Sequence, residues 1–500
     1  MPFAAAIARH AEQIPQVPAF RMEGRVFTFR ELALCAGQLV SAFGRLTADT
    51  GNKNVLPATT KLIALEIGNH PLFAAAFVAA TSGGHCVVLI DPHLPETTRA
   101  AMREQLRPDI TVRADGEGLR LDATASGQSL LFAAGSDEDM TPIAIGADDE
   151  PFLVVFTSGT TGMPKAIVRD RGSWRRSLKM GQDFFGINSD TRTFAPGPLA
   201  HGLTLYAFAE TLVAGAEFVG MAHFDAARAS ETIASQDVRR LVLVPTMLRR
   251  LCASPSHAAL ASVQKITVAG AKLTPADRAA AATPFSQADI VEYYGASELG
   301  FISVAGPGDT ASATAVGRAF PGVGLIVLDE SEKPLPSGEA GTIFVNSDLI
   351  SSGYIGTGDG AGLRRVGRLA TVGDLGFLSA DGTLHLVGRS GGMVLSGGNN
   401  IYPQEVEATL VGHADVHAAF VLGLDHPDLG SELVAVIEPN GATIDRAALD
   451  RHLDSHLPRY KHPRRIWLCH TLPMTQSGKV AAGTLKQWIV DGHDALEPFV

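Results

Sequence analysis

Cysteine is scarce in this chain and never clustered. Cys35, Cys86, Cys252 and Cys469 lie far apart with no CxxC spacing, which argues against a disulfide framework or a thiolate zinc site and fits a reducing, cytoplasmic setting. Basic charge is also lacking: 41 Lys and Arg against 52 Asp and Glu leave a formal net charge of -11, so there is no electrostatic footprint for nucleic acid or an anionic membrane. Long apolar runs are missing too. The longest, around Pro71 to Ala80 and Pro151 to Phe156, fall well short of the roughly 20 residues that span a bilayer, so no transmembrane segment is expected. The opening MPFAAAIARHAEQIPQ has neither a basic leader nor a sustained apolar stretch and reads as a first helix.

What is present is enough chain, 500 residues with 46% hydrophobic, to bury a large core and to divide into a major body and a smaller unit. Apolar positions fall at helical spacing from Thr28 to Leu46, and an apolar run, a helix-like segment and a second apolar run follow one another from Lys61 to Pro92. The same alternation returns at PFLVVF, LVLVPTMLRRL, KITVAG and DIVEYYG, predicting parallel strands covered by helices. After about Ala305 the texture changes to short strand-length segments divided by Gly, Pro and Asp, predicting a small antiparallel barrel or sheet. A glycine-rich connection near Gly388 to Gly392 then leads into further helix-like and strand-like segments.

The segment Thr157 to Lys165, TSGTTGMPK, directly follows the apolar run Phe152 to Phe156. A buried strand that opens into small hydroxyl residues and glycines brings backbone N–H and side-chain O–H donors close to phosphate oxygens, with a lysine to offset charge. Only two residues separate Gly159 from Gly162 and proline precedes the lysine, so this is not the GxxxxGK[ST] loop of kinases and GTPases. Further along, in order, come VAGAKL (Val268 to Leu273), YYGASE (Tyr293 to Glu298), TVGDLG (Thr371 to Gly376), GRSGGM (Gly388 to Met393) and PMTQSGK (Pro473 to Lys479). Early GGHCVVLIDPHLP and late LPRYKHP complete the set.

On these motifs the chain resembles the adenylate-forming superfamily, of the AMP-dependent acyl-CoA and aryl-CoA synthetase type, over nearly its whole length. The resemblance implies an α/β fold: a large N-terminal domain of two stacked βαβ-type subdomains plus a small β-barrel over 1–388, a hinge over 389–392, and a small mobile α+β C-terminal domain over 393–500. It implies an ATP-dependent acid–CoA ligase that forms an acyl-AMP, releases pyrophosphate and then makes the thioester. Mg²⁺ is the implied cofactor, with ATP and coenzyme A as co-substrates. A stand-alone enzyme loading its acid onto a carrier-protein phosphopantetheine stays open as the alternative, as does a homodimer.

Residue by residue, the resemblance assigns the ATP/AMP site to Thr157, Ser158, Gly159, Thr160, Thr161, Gly162 and Lys165, to the backbone wall Gly270, Ala271 and Lys272, and to Tyr294, Gly295, Ala296 and Ser297. Tyr294 offers a flat face for adenine. Asp374 would accept from the ribose hydroxyls, and Arg389 would contact ribose or phosphate near the hinge. Three residues carry the chemistry. Glu298 is the magnesium carboxylate; Lys479 is the mobile cation that offsets charge as a carboxylate approaches the α-phosphate; and His201, in PGPLAHGLTLY, gates or orients the acid. The chain departs from the family at Gly391, where an Asp or Lys hinge residue is usual, at Ala166 after the PK pair, and at Ser297 in place of threonine. Arg169, Arg171, Arg175 and Arg176 read as a solvated helix face, with anion binding as the competing reading. The acid pocket, expected near His201 to Leu205, Val268 to Lys272 and Ala296 to Phe301, is mostly small or apolar with no obvious fixed cation beyond Lys272, and a monocarboxylic aliphatic or aromatic acid is the expected substrate.

Overall fold

Four sheets organise the chain in a computed structural model, which describes every residue except 1–3, 47–55, 58, 136–139, 158–164, 255–259, 308, 310–313, 356–361, 390–391, 393, 397–398, 427–429, 442–443, 476–477 and 500. Thr157, Arg389, Leu395, Asn399, Asn400 and Gly430 are described in their backbone only. The first sheet has eight strands, with Pro151–Thr157, His85–Leu89, Lys61–Glu66 and Ile110–Asp115 running parallel at its centre. The second has nine, six of them parallel: Asp289–Ala296, Lys265–Val268, Arg240–Leu243, Thr193–Phe194, Phe218–Val219 and Pro18–Met22. Strands such as PFLVVFT, HCVVL and RLVL are rich in Val, Leu and Phe, which suits burial on both faces.

The two sheets share one core. The helix Phe73–Ala80, FAAAFVAA, is apolar all round and buried at every position, as a helix packed on all sides must be. Phe73 and Phe77 meet Phe208 edge to face, and Phe208 in turn meets Phe20 and Phe218 of the nine-stranded sheet. Phe208 lies on the helix Gly202–Val213, which is also tied to the strand Arg240–Leu243 by a fully buried pair, Glu210 with Arg240, at 2.8 Å. The third sheet takes its six antiparallel strands from within residues 324–389, around Gly341–Asn346 and Asp374–Leu378. This matches the change of texture seen after Ala305. The fourth sheet takes all its strands from residues 394–498 and is covered by the helices Pro403–Val411, Arg446–His456 and Ala482–Asp491. Among the described residues no helix is long and apolar enough to cross a membrane.

The four arginines do not share one solvated face: Arg169 and Arg171 are buried, Arg175 is half-buried and Arg176 is exposed as expected. Arg169 belongs to the strand Lys165–Asp170, is 4% exposed and donates to the Ser297 carbonyl at 3.2 Å. Asp170 then caps the helix Arg171–Phe185 by accepting from the Ser173 N–H at 2.7 Å. That cap turns Arg171 inward, where its buried guanidinium donates to the carbonyls of Thr81, Ser82 and His85 and pairs with Glu150 at 3.1 Å. Arg175 bonds the Gly146 carbonyl and pairs with Asp148, and Arg176 bonds the Asp348 carbonyl. These donors satisfy loop carbonyls of the fold, so the anion-binding reading has no support either.

Candidate active site

The segments singled out in the sequence converge at the C-terminal ends of the parallel strands, where open α/β sheets place their ligands. From the eight-stranded sheet comes the end of Pro151–Thr157, which pairs antiparallel with Lys165–Asp170 so that Thr157 and Lys165 face each other across the intervening loop. Ser158, Gly159, Thr160, Thr161 and Gly162 of that loop lie outside the described residues. From the nine-stranded sheet come Gly270, Ala271 and Lys272 beyond Lys265–Val268, and Ala296, Ser297 and Glu298 at the end of Asp289–Ala296. Gly295 sits at a register shift in the pairing with Gly300–Ala305, where a Cβ would lie 2.7 Å from the Gly300 carbonyl oxygen, so only glycine fits this bulge.

Glu298 is 5% exposed and accepts a hydrogen bond from the Tyr354 hydroxyl at 2.6 Å. Tyr354 lies on the short strand Gly353–Tyr354 that pairs with Lys165–Asp170, and Lys165 Nζ stands 5.9 Å from the centre of its ring. One phenol thus meets a carboxylate at its hydroxyl and a lysine over its ring. Tyr294 donates its hydroxyl to Asp374 Oδ2. Asp374 opens the strand Asp374–Leu378 and pairs in register with Arg389. Tyr294, Asp374 and the Arg389 backbone therefore come together from two sheets. The hinge position Gly391 lies outside the described residues.

Lys272 is paired within the fold. Its ammonium lies 2.7 Å from Glu292, whose buried carboxylate also accepts the Leu273 N–H at 2.8 Å and faces Arg278 at 3.6 Å. His201 precedes the helix Gly202–Val213, and its Nε2 lies 3.3 Å from Asp91 Oδ2. A Cβ on Gly202 would stand 4.0 Å from Ser297 Oγ, which puts the first turn of that helix beside the YYGASE segment.

Lys479 reaches this face from the C-terminal unit. It closes a tight turn in which Thr475 N–H donates to the Lys479 carbonyl at 2.7 Å and Lys479 N–H donates to Thr475 Oγ1 at 3.2 Å. Thr246, at the start of the helix Pro245–Cys252, donates from Oγ1 to the Gly478 carbonyl at 3.4 Å. The lysine turn is thus seated at the end of the strand Arg240–Leu243. Neither Asp91 nor Tyr354, Thr246 or Glu292 stands out in the sequence; each becomes visible only through its partner.

Over residues 7–355 the chain matches the model of the AMP-binding enzyme family, and over 405–479 that of the AMP-binding enzyme C-terminal domain. The chain belongs to the AMP-binding enzyme family. Within this adenylate-forming family it is an enzyme of the AMP-forming acid–CoA ligase type. The chain is 29% identical over 492 residues to YhfT of Bacillus subtilis, an uncharacterised acyl-CoA ligase, with 96% of each chain covered. To feruloyl-CoA synthase of an Amycolatopsis species it is 28% identical, with 96% of this chain and 97% of that one covered. Its fold is similar to that of ATP-bound MatB from Rhodopseudomonas palustris, at a TM-score of 0.83 and 22% identity over 98% of this chain and 100% of the other. The family's α/β architecture of a large N-terminal and a small C-terminal domain is the architecture seen in the four sheets.

Proposed function

We propose that this acid–CoA ligase works in two half-reactions at the face just described. In the first, a carboxylate oxygen attacks the α-phosphorus of ATP and pyrophosphate leaves. In the second, the sulfur of coenzyme A attacks the acyl carbonyl, the C–S bond forms and AMP departs. The seat of the Lys479 turn against Thr246, made through the Gly478 carbonyl, carries the reading, because it favours a lysine of the C-terminal unit at the end of the strands that present Lys165, Ser297 and Glu298. A cation there offsets the two negative charges that approach each other in the first step. The second step needs room for a thiol, which favours release of the 393–500 unit about a hinge at 389–392.

Tyr294 and Asp374 are assigned to adenine and ribose, Arg389 to ribose or phosphate, and Lys165 with the loop 157–162 to the phosphates. Glu298 is assigned to Mg²⁺. A single buried carboxylate beside a phosphate loop suits a hard cation that keeps most of its shell for water and phosphate oxygens. When bound, the ion would neutralise charge on the departing pyrophosphate. With Lys272 taken up by Glu292, the segments around His201, Ala296 and Leu299 favour an acid whose tail is uncharged, aliphatic or aromatic.

Incubation with Mg²⁺, ATP, coenzyme A and a panel of fatty, aryl and short-chain acids, read by mass, tests the proposal. A new acyl-CoA is expected, with acid-dependent pyrophosphate exchange falling on the order of 100-fold or more in Lys479→Ala while ATP still binds. Acyl-AMP without acyl-CoA would replace coenzyme A by a carrier-protein thiol. Unchanged exchange in Lys479→Ala would remove the lysine from the first step.

A further inference from the structure

We propose that Asp91 is a positioning residue for His201, holding the imidazole in its Nε2–H tautomer and leaving Nδ1 as the ring's proton acceptor. The inference rests on the assignment of His201 to the acid site and adds the residue through which that assignment works.

Asp91 lies just past the strand His85–Leu89, its side chain only 10% exposed. Its turn fixes the carboxylate. Oδ1 accepts the backbone N–H of His93, two residues on, at 3.0 Å and faces the His93 ring Nδ1 at 3.2 Å. Oδ2 is left for His201, 110 residues away, at 3.3 Å. Burial pushes the Asp91 carboxyl up, but the contacts with His201 and His93 more than offset this and hold it below the usual carboxylate range. An ionised carboxylate can only accept, so the ring nitrogen facing it must donate. In a neutral imidazole the other nitrogen then carries the lone pair.

A purely structural role for this contact is already filled by a neighbour. Asn69, also at the strand ends of the eight-stranded sheet, donates to the carbonyls of Gly197 at 3.0 Å and Met221 at 2.7 Å and accepts the Leu199 N–H at 2.7 Å. His201 N–H donates to the Pro198 carbonyl, and its own carbonyl receives the Leu205 N–H. The backbone of PGPLAH is therefore fixed without Asp91. What Asp91 adds is a contact to the imidazole itself, which sets ring orientation and tautomer. The pairing also crosses from one sheet to the other, so the histidine of one subdomain is aimed by the carboxylate of its neighbour.

The experiment uses the full chain with whichever acid the mass panel identifies. Side-chain ¹⁵N spectra of the histidine-labelled wild type, assigned by comparison with His201→Ala, are expected to show His201 protonated at Nε2. An Nδ1-protonated ring overturns the proposal without any Asp91 variant. Asp91→Asn should lose the fixed tautomer and lower kcat about 10- to 100-fold, the range typical for a partner that orients a working imidazole, with KM for ATP within about twofold. In a His201→Ala background the same substitution should cost nothing further. A full-sized additional loss in that background would make Asp91 an independent structural residue and overturn the proposal, as would an Asp91→Asn enzyme as fast as wild type beside a crippled His201→Ala. A silent His201→Ala would instead remove His201 from the site, and Asp91 with it.

Discussion

Replacing Gly478 by alanine adds one methyl group at the seat of the lysine turn. Gly478 has φ +75°, and a Cβ there would stand 2.5 Å from Val244 Cγ2 and 2.9 Å from Thr246 Oγ1. Two costs follow, and they act differently. The left-handed backbone disfavours alanine by roughly 1–2 kcal/mol, but that strain belongs to the Thr475–Lys479 turn and is felt whether or not the turn is docked. The overlap with Val244 and Thr246 exists only in the docked arrangement. Val244 is 8% exposed and β-branched, so it cannot swing aside freely, and relief must come from shifting the turn. Overpacking of this kind costs about 1–3 kcal/mol, which corresponds to roughly a 5- to 150-fold loss in the population that presents Lys479.

The two proposed half-reactions separate that loss from a general one. Acid-dependent ATP–pyrophosphate exchange should fall within that range in Gly478→Ala, whereas conversion of supplied acyl-AMP and coenzyme A to the thioester should stay within about threefold of wild type. Adding Val244→Ala removes the methyl that the new Cβ meets and should return part of the exchange activity. An equal fall in both half-reactions, or an unaltered exchange rate, would refute the docked turn as the arrangement that serves acyl-AMP formation.

Glu298→Gln keeps an oxygen to accept the Tyr354 hydroxyl, so the fold should hold with Tm changed by no more than about 2 °C while exchange falls on the order of 100-fold and its midpoint in Mg²⁺ rises; a Mg²⁺ titration of both enzymes checks this, and an unmoved midpoint would take Glu298 out of the metal site. Glu407, on the helix Pro403–Val411, has its carboxyl raised to about 7 by burial, against a hydrogen bond from the Val421 N–H that pulls it down. Its folded-state value lies above its unfolded one, so the cost of its charge is absent in acid, grows as pH rises past about 4.5 and is complete above about 7. Glu407→Gln should therefore leave stability nearly unchanged at pH 4.5 and raise it by about 3 kcal/mol at pH 8, measured by urea unfolding at each pH.

The order of the elements was legible because each is encoded locally. FAAAFVAA is apolar at every position and forms a helix buried on all sides, while DIVEYYG and KITVAG carry the strand pattern that places YYGASE and AGAKL at one edge. The contacts that make those edges a site are different in kind. Tyr294 meets Asp374 across 80 residues, Tyr354 meets Glu298 across 56, and Thr246 meets Gly478 across 232. No spacing in one sequence encodes such pairs, because the partner of a tyrosine or threonine is chosen by sheet order rather than by any nearby residue.

The arginines after Lys165 fail as a sequence pattern for the same reason. Their charge predicted exposure, yet Arg171 is buried, its guanidinium donating to the carbonyls of Thr81, Ser82 and His85 about 90 residues earlier. Lys272 behaves likewise, drawn to Glu292 by a buried carboxylate that reads as one polar residue in an apolar strand. Both cases have one cause: a buried polar group must be satisfied, and the residue that satisfies it is found through the fold. Asp91 is the instance with functional weight. In the sequence it is the aspartate of a DP turn, and only the meeting of two sheets turns it toward His201.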